Sequence, residues 1–178
     1  MPQQLMDEVC GIPMSVGTIS HLEQSTTAAV AAPVEEARTS VHKQAVAHLD
    51  ETRWRQGGKP AWVWVAVTSW VTGFVLRMSR SGQVARALLG ETCAGILVTD
   101  RSSAYNGYPV RWRQLCWAHL LRDCDAMGDR GGTSAELGVA LLAQAHQMCP
   151  WWHRVREGTL QRATFRSSMS PLRREVER

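Results

Sequence analysis

The chain has 178 residues, 44% of them hydrophobic and 20% charged, with a formal net charge of +4. That length suits one ordinary domain, or one domain with a small appendage, and the apolar fraction excludes wholesale disorder. No apolar run approaches the ~18 residues of a membrane span, and residues 1–11 carry Asp7 and Glu8 without the basic stretch of a secretory signal.

Residues 3–10 (QQLMDEVC) predict a short helix with Leu5 and Val9 on one face. Gly11 and Pro13 break it, and Ser15 is a good N-cap for a second helix, VGTISHLEQS. This is the order of a helix-turn-helix, whose second helix enters the major groove, and equally of a hairpin that only packs. Residues 22–47 continue as an Ala-rich helical connector interrupted at Pro33. Ala45 to Leu49 predicts a short buried strand ending at Asp50, followed by a polar turn, TRWRQGGKP, with Gly57-Gly58 as a hairpin signal. Ala61 to Thr68 (AWVWVAVT) is the strongest strand, and Thr72 to Met78 is the next. Residues 81–91 predict a helix with Val84, Leu88 and Leu89 inward. The unbroken apolar run Gly95 to Thr99 predicts a fully buried central strand ending at Asp100. Residues 112–127 predict a helix and 128–134 a loop. Residues 135–157 predict a helix kinked or broken near Pro150, and 161–178 an Arg-rich tail, helical after Pro171. The order β-β-β-α-β-α-α is that of a mixed α/β fold.

Asp50 and Asp100 stand out by position. Each follows a predicted strand at its carboxyl end, where α/β sheets place ligand sites. If the two strands pair side by side, the carboxylates become neighbours and repel unless a cation lies between them. Mg²⁺ is a hard ion suited to such oxygen ligands, and a pair of them serves phosphoryl transfer. The plain alternative is that each Asp caps the turn after its strand. Residues 1–100 carry a net charge of −1 and residues 101–178 a net +5, with 18 Arg against 2 Lys over the chain. Arg suits phosphate, so the basic half points to nucleic acid, although Arg-rich coding accounts for it equally.

Other side chains have two readings each. Arg53 and Arg55 follow Asp50 in the turn and suit phosphate contacts or a solvated loop. Arg101 follows Asp100. Tyr105 suits stacking on a base or sugar, or core packing. His119 in CWAHLLRD suits a DNA or metal contact or helix packing, and Arg122 a phosphate contact or an exposed pair with Asp123; Cys116 and His119 form a CxxH pair, but no second pair completes a zinc site. His48 shares the pleat face of Asp50. Trp151-Trp152-His153-Arg154 suits base stacking or helix packing. The five cysteines (Cys10, Cys93, Cys116, Cys124, Cys149) include no CxxC pair and read as reduced thiols in a cytosol.

Three stretches in order, HLDETRWRQGGKPAWVWVAVT, VTDRSSAYNGYP and RQLCWAHLLRD, resemble the DDE transposases of the insertion-sequence-66 family. SVGTISHLEQ is similar to the end of that family's helix-turn-helix, and WWHRVREGTLQRATF to a segment after its central helices. The resemblance implies a ribonuclease H-like mixed sheet flanked by helices over residues 47–178. A partial helix-turn-helix (1–25) and a helical connector (26–46) would precede it. It implies that Asp50 and Asp100 are two of three catalytic carboxylates holding two Mg²⁺ ions, with Mn²⁺ as substitute, which cut and rejoin DNA at transposon ends. It implies association with further copies or other transposase subunits, and a location in the bacterial cytoplasm at the nucleoid, with no membrane partner. The family's third carboxylate, a Glu in an NNxxER-like motif, has no counterpart here. Glu157, Glu175 and Glu177 stand in other contexts. The expectation is therefore an internal, truncated fragment of weak or no activity. The alternative is a DNA-binding or subunit-binding remnant that modulates intact transposase.

Overall fold

The computed structural model describes residues 2–90 and 95–176. Cys93, Glu177 and the last residue of the helix predicted over 81–91 lie outside them. The chain divides into two compact units, Met1–Gln114 and Leu115–Arg178.

The first unit opens with a short helix, α1 (Pro2–Gln4), that continues as a π-helical turn over Leu5–Val9. After Gly11 the chain enters one long helix, α2 (Val16–His42). Ser15 is its N-cap, its Oγ accepting the Thr18 N–H at 3.0 Å, which satisfies one of the donors orphaned at a helix start. The predicted interruption at Pro33 does not occur, because Pro33 sits inside α2. A mid-helix proline costs about 3 kcal/mol. The neighbouring Ala28, Ala29, Ala31, Ala32 and Ala37 have the highest helix propensity of any residue and oppose a break.

Five strands form one mixed sheet: β1 (Val46–Gln56), β2 (Lys59–Val67), β3 (Thr72–Arg77), β4 (Ile96–Thr99) and β5 (Arg113–Leu115), in the order β3-β2-β1-β4-β5. β1 pairs antiparallel with β2, β2 antiparallel with β3, and β1 parallel with β4. The parallel pair is reached through the crossover helix α3 (Gly82–Leu89). The mixed α/β class is as the sequence predicts.

The largest difference lies in β1, which is 11 residues long and includes most of the polar stretch predicted as a turn. Its outer half pairs residue by residue with the aromatic and β-branched β2: Thr52 with Val63, Arg53 with Trp62, Trp54 with Ala61. A strong strand recruits a polar one opposite it through the hydrogen-bond ladder and cross-strand side-chain contacts. The turn shrinks to Gly57-Gly58, with φ of +56° and +77°, the two left-handed residues that a two-residue hairpin loop needs.

The core lies on one face of this sheet. Ala47 and Leu49 of β1, Trp64 and Ala66 of β2, and Leu97 of β4 meet Val84, Ala85, Leu88 and Leu89 of α3, with Val41, Ala104 and Tyr105. In β1 the alternation is strict: Ala47 and Leu49 are buried, while Val46, His48 and Asp50 are exposed.

Between β4 and β5 the chain makes two 3₁₀ turns, Ser103–Tyr105 and Val110–Trp112. The helix predicted from residue 112 starts only at Trp117, because residues 113–115 join the sheet as β5. Arg113 explains the diversion. Its guanidinium bonds the Thr99 hydroxyl at 3.2 Å, the Asp100 carbonyl at 3.0 Å and the Asn106 side chain at 3.3 Å, tying this segment to the end of β4.

The second unit is three helices, α4 (Trp117–Gly128), α5 (Gly132–Arg156) and α6 (Arg162–Val176). Pro150 lies inside an unbroken α5, and α6 begins at Arg162, well before the helix predicted after Pro171. α4 and α5 approach closely at Gly138, where a Cβ would stand 2.5 Å from the Cys124 carbonyl oxygen. No described helix is long and apolar enough to cross a membrane.

Candidate active site

The β1–β4 register pairs Val46 with Ile96, Ala47 with Leu97 and His48 with Val98, a constant offset of fifty positions. Asp50 and Asp100 share that offset of fifty, two positions past the last paired residues. Asp50 is not at the end of its strand, as the sequence predicts. It lies within β1, just past the part that pairs with β4, and β1 continues six residues beyond it. What ends there is β4.

Asp50 is exposed, and its Oδ1 accepts the Glu51 N–H at 2.9 Å. Asp100 is half-buried in the turn after β4, and its Oδ1 accepts the Ser102 N–H at 2.9 Å. The Thr99 hydroxyl, itself buried, donates to the Asp100 carbonyl at 2.8 Å. Together with the Arg113 contacts, these bonds fix the backbone that carries Asp100.

A third carboxylate stands beside them that sequence reasoning passed over. Glu51 falls on the core side of the β1 alternation, after Ala47 and Leu49, and its side chain is 0% exposed. One oxygen accepts Arg80 Nε at 2.7 Å, and the other accepts the Tyr105 hydroxyl. Arg80 Nη2 in turn lies 3.8 Å from Asp100 Oδ2. Arg80 thus bridges the buried and the half-buried carboxylate, and its guanidinium is held more firmly protonated than an ordinary arginine, first by the Glu51 hydrogen bond. The signal for Glu51 was available: a charged residue at an inward position of a period-2 strand. It was masked because the strand was expected to end at Asp50.

Tyr105 is fully buried, edge-on to Trp64 at 6.3 Å with Arg113 over its ring. It offers no face for stacking on a base, so of its two expected roles the structure has the core one. Burial first, then the Glu51 hydrogen bond and the charges of Glu51, Asp100 and Asp50, push its hydroxyl well above the usual tyrosine range.

The other expected contacts are dispersed. Arg53 and Arg55 are exposed on the outer arm of β1, where Arg53 pairs across to Trp62 and Trp62 to Arg77. Arg101 is exposed beside Asp100, and His48 is exposed on the Asp50 face. His119 and Arg122 belong to α4, in the second unit. Trp151 and Trp152 lie on α5, with Arg154 over the first ring and Arg162 over the second, and Phe165 of α6 at 5.9 Å from Trp152. Glu157 and Glu175 are exposed in the same unit.

Among the described residues, no group of three or more His, Cys, Asp or Glu side chains is placed to hold a metal ion. Asp50 and Asp100 are a two-carboxylate set. That fits Mg²⁺ as it is held in phosphoryl-transfer sites, by one or two carboxylates with waters and substrate phosphate completing the shell.

No curated protein matches the chain. A family model described as "Transposase IS66 family" matches residues 3–177, nearly the whole chain. The chain therefore belongs to the IS66 family of transposases.

Proposed function

We propose that this chain carries part of a DDE-type transposase active site on a ribonuclease H-like core, with Asp50 and Asp100 as two of its catalytic carboxylates. The observation that carries the reading is the parallel pairing of β1 with β4 at an offset of fifty, an offset that Asp50 and Asp100 share just past the last paired residues, in a chain of a transposase family. The strand order supports it: three antiparallel strands, then a crossover to a fourth strand parallel with the first. Membership of such a family implies DNA as the partner.

Asp50 and Asp100 would hold Mg²⁺, with Mn²⁺ as substitute. Bound there, the metal supplies Lewis-acid activation of a hydroxyl and stabilisation of a leaving oxygen in phosphodiester transfer. The chain's own residues do the positioning. The Ser102 N–H and the Arg113 clamp hold Asp100, and the Glu51 N–H orients the Asp50 carboxylate. Arg101, exposed beside Asp100, and Arg53 and Arg55, exposed further along β1, add positive charge that favours DNA. We assign residues 1–25 to part of a helix-turn-helix and 26–46 to a connector, with α2 spanning both.

The net charge of +5 over residues 101–178 favours a second reading, that the chain binds DNA or an intact subunit without cutting. Purified protein with Mg²⁺ or Mn²⁺ and transposon-end DNA separates the two. We expect salt-dependent DNA binding that survives Asp50→Ala, and at most trace strand cleavage that Asp50→Ala or Asp100→Ala removes. Robust cleavage lost in Asp50→Ala would keep the site and overturn the low activity. Cleavage indifferent to both substitutions would overturn the site.

A further inference from the structure

We propose that Arg80 is a phosphate-binding residue of this site, and that Glu51 and Tyr105 are the positioning residues that aim it. The inference rests on the transposase reading and deepens it: the ligand class is a DNA phosphodiester.

The starting point is the unexplained burial of Glu51. Its neighbours on the inward face of β1 are Ala47 and Leu49, and it faces Trp64 across the β1–β2 ladder. Leu at position 51 would extend that apolar surface. Desolvating a carboxylate costs several kcal/mol, and a buried ion pair is on average no more stabilising than well-packed apolar side chains of the same volume. Half of the Arg80 side chain is exposed, which weakens the compensating attraction further. Fold stability therefore gives little reason for a charged pair here.

Geometry gives a better one. Glu51 is clamped from two sides, by Tyr105 on one oxygen and Arg80 Nε on the other. Tyr105 is itself fixed against Trp64 in the core. A guanidinium held through Nε has lost much of its rotamer freedom while keeping its Nη edge available. That edge lies 3.8 Å from Asp100 Oδ2, within ion-pair range and outside hydrogen-bond range. Arg80 is thus a pre-oriented planar donor beside Asp100. Arginine's fork matches two phosphate oxygens, and an anchored fork binds without first paying the ordering entropy of a free side chain.

The test is binding of a random-sequence duplex of about 30 base pairs in EDTA, so that neither metal nor catalysis enters. Each phosphate neutralised by the protein contributes about 0.9 to the slope of log K against log salt. We expect Arg80→Gln to lower that slope by about 0.9, and Arg80→Lys, which keeps the charge, to stay near the wild-type slope with weaker binding. Glu51→Gln should leave the slope unchanged, because Arg80 already meets a phosphate in the wild type. If Arg80 serves only to neutralise Glu51, Arg80→Gln leaves the slope as it is, and Glu51→Gln, which frees the arginine, raises it by about 0.9; either result overturns the proposal. Wild-type protein that binds no DNA overturns the transposase reading itself. Folding of each variant is checked by circular dichroism at the binding temperature, and a Tyr105→Phe variant, which loosens Glu51 without altering formal charge, should weaken binding at constant slope.

Discussion

Removing either end of the Glu51–Arg80 pair should not be equivalent, and the structure says which end matters more. In Arg80→Ala the Glu51 side chain, 0% exposed, keeps only the Tyr105 donor and loses its counter-ion. Stranding one member of a fully buried pair costs about 3–5 kcal/mol. Water can enter where the half-exposed guanidinium stood, which lowers the figure to about 2–3 kcal/mol. In Glu51→Gln the stranded partner is Arg80, already half in solvent and free to swing out. Gln keeps the volume and one acceptor, so the loss is that of a hydrogen bond, about 0.5–1.5 kcal/mol. Arg80→Ala should therefore be the worse variant by about 1–2 kcal/mol, and adding Glu51→Gln to it should restore stability rather than reduce it further. Urea unfolding followed by tryptophan fluorescence reads this, because Trp64 is fully buried against Tyr105. Equal costs for the two single variants, or additive losses in the double variant, would refute the reasoning.

Three further outcomes follow from the same structure. Tyr105 holds its proton more tightly folded than unfolded, so its contribution is complete below the ordinary tyrosine value of about 10 and is lost as pH rises beyond it. Stability should fall above that pH by up to about 1.4 kcal/mol per unit, a slope that Tyr105→Phe should flatten in alkaline denaturant titrations. Gly138→Ala should destabilise the helical unit by about 1–3 kcal/mol, because the new Cβ would meet the Cys124 carbonyl at 2.5 Å; a wild-type melting curve would count against that packing. Trp64→Ala should cost about 3–5 kcal/mol in the same denaturation assay, and a loss below ~1 kcal/mol would mean the core is not centred on it.

What could be read in the sequence was the apolar pattern. AWVWVAVT, GILVT and the Val84/Leu88/Leu89 spacing are local signals of burial, and each became the strand or helix they predict. Ser15 and Gly57-Gly58 are local in the same sense and do what their chemistry requires. What could not be read depends on partners distant in sequence. Residues 52–56 carry no strand signal of their own and become strand because β2 lies opposite. Arg113–Leu115 joins the sheet because Arg113 reaches Thr99 and Asp100. Local sterics predict an interruption at Pro33, a kink or break near Pro150 and a helix only after Pro171, yet α2 and α5 continue through their prolines and α6 is already helical from Arg162. The candidate site divides the same way. Asp50 and Asp100 stand out in the sequence by following apolar runs and by the family resemblance, although β1 runs on past Asp50. Glu51 and Arg80, 29 positions apart, meet only once β1 is known to run past Asp50.

Whether Asp50 and Asp100 act as one cation site can be measured directly. Titration of the purified chain with Mn²⁺, followed by electron paramagnetic resonance of the free ion, measures that without any DNA. A bound Mn²⁺ that disappears in Asp50→Asn and equally in Asp100→Asn is the result predicted; wild-type binding in both variants would contradict it.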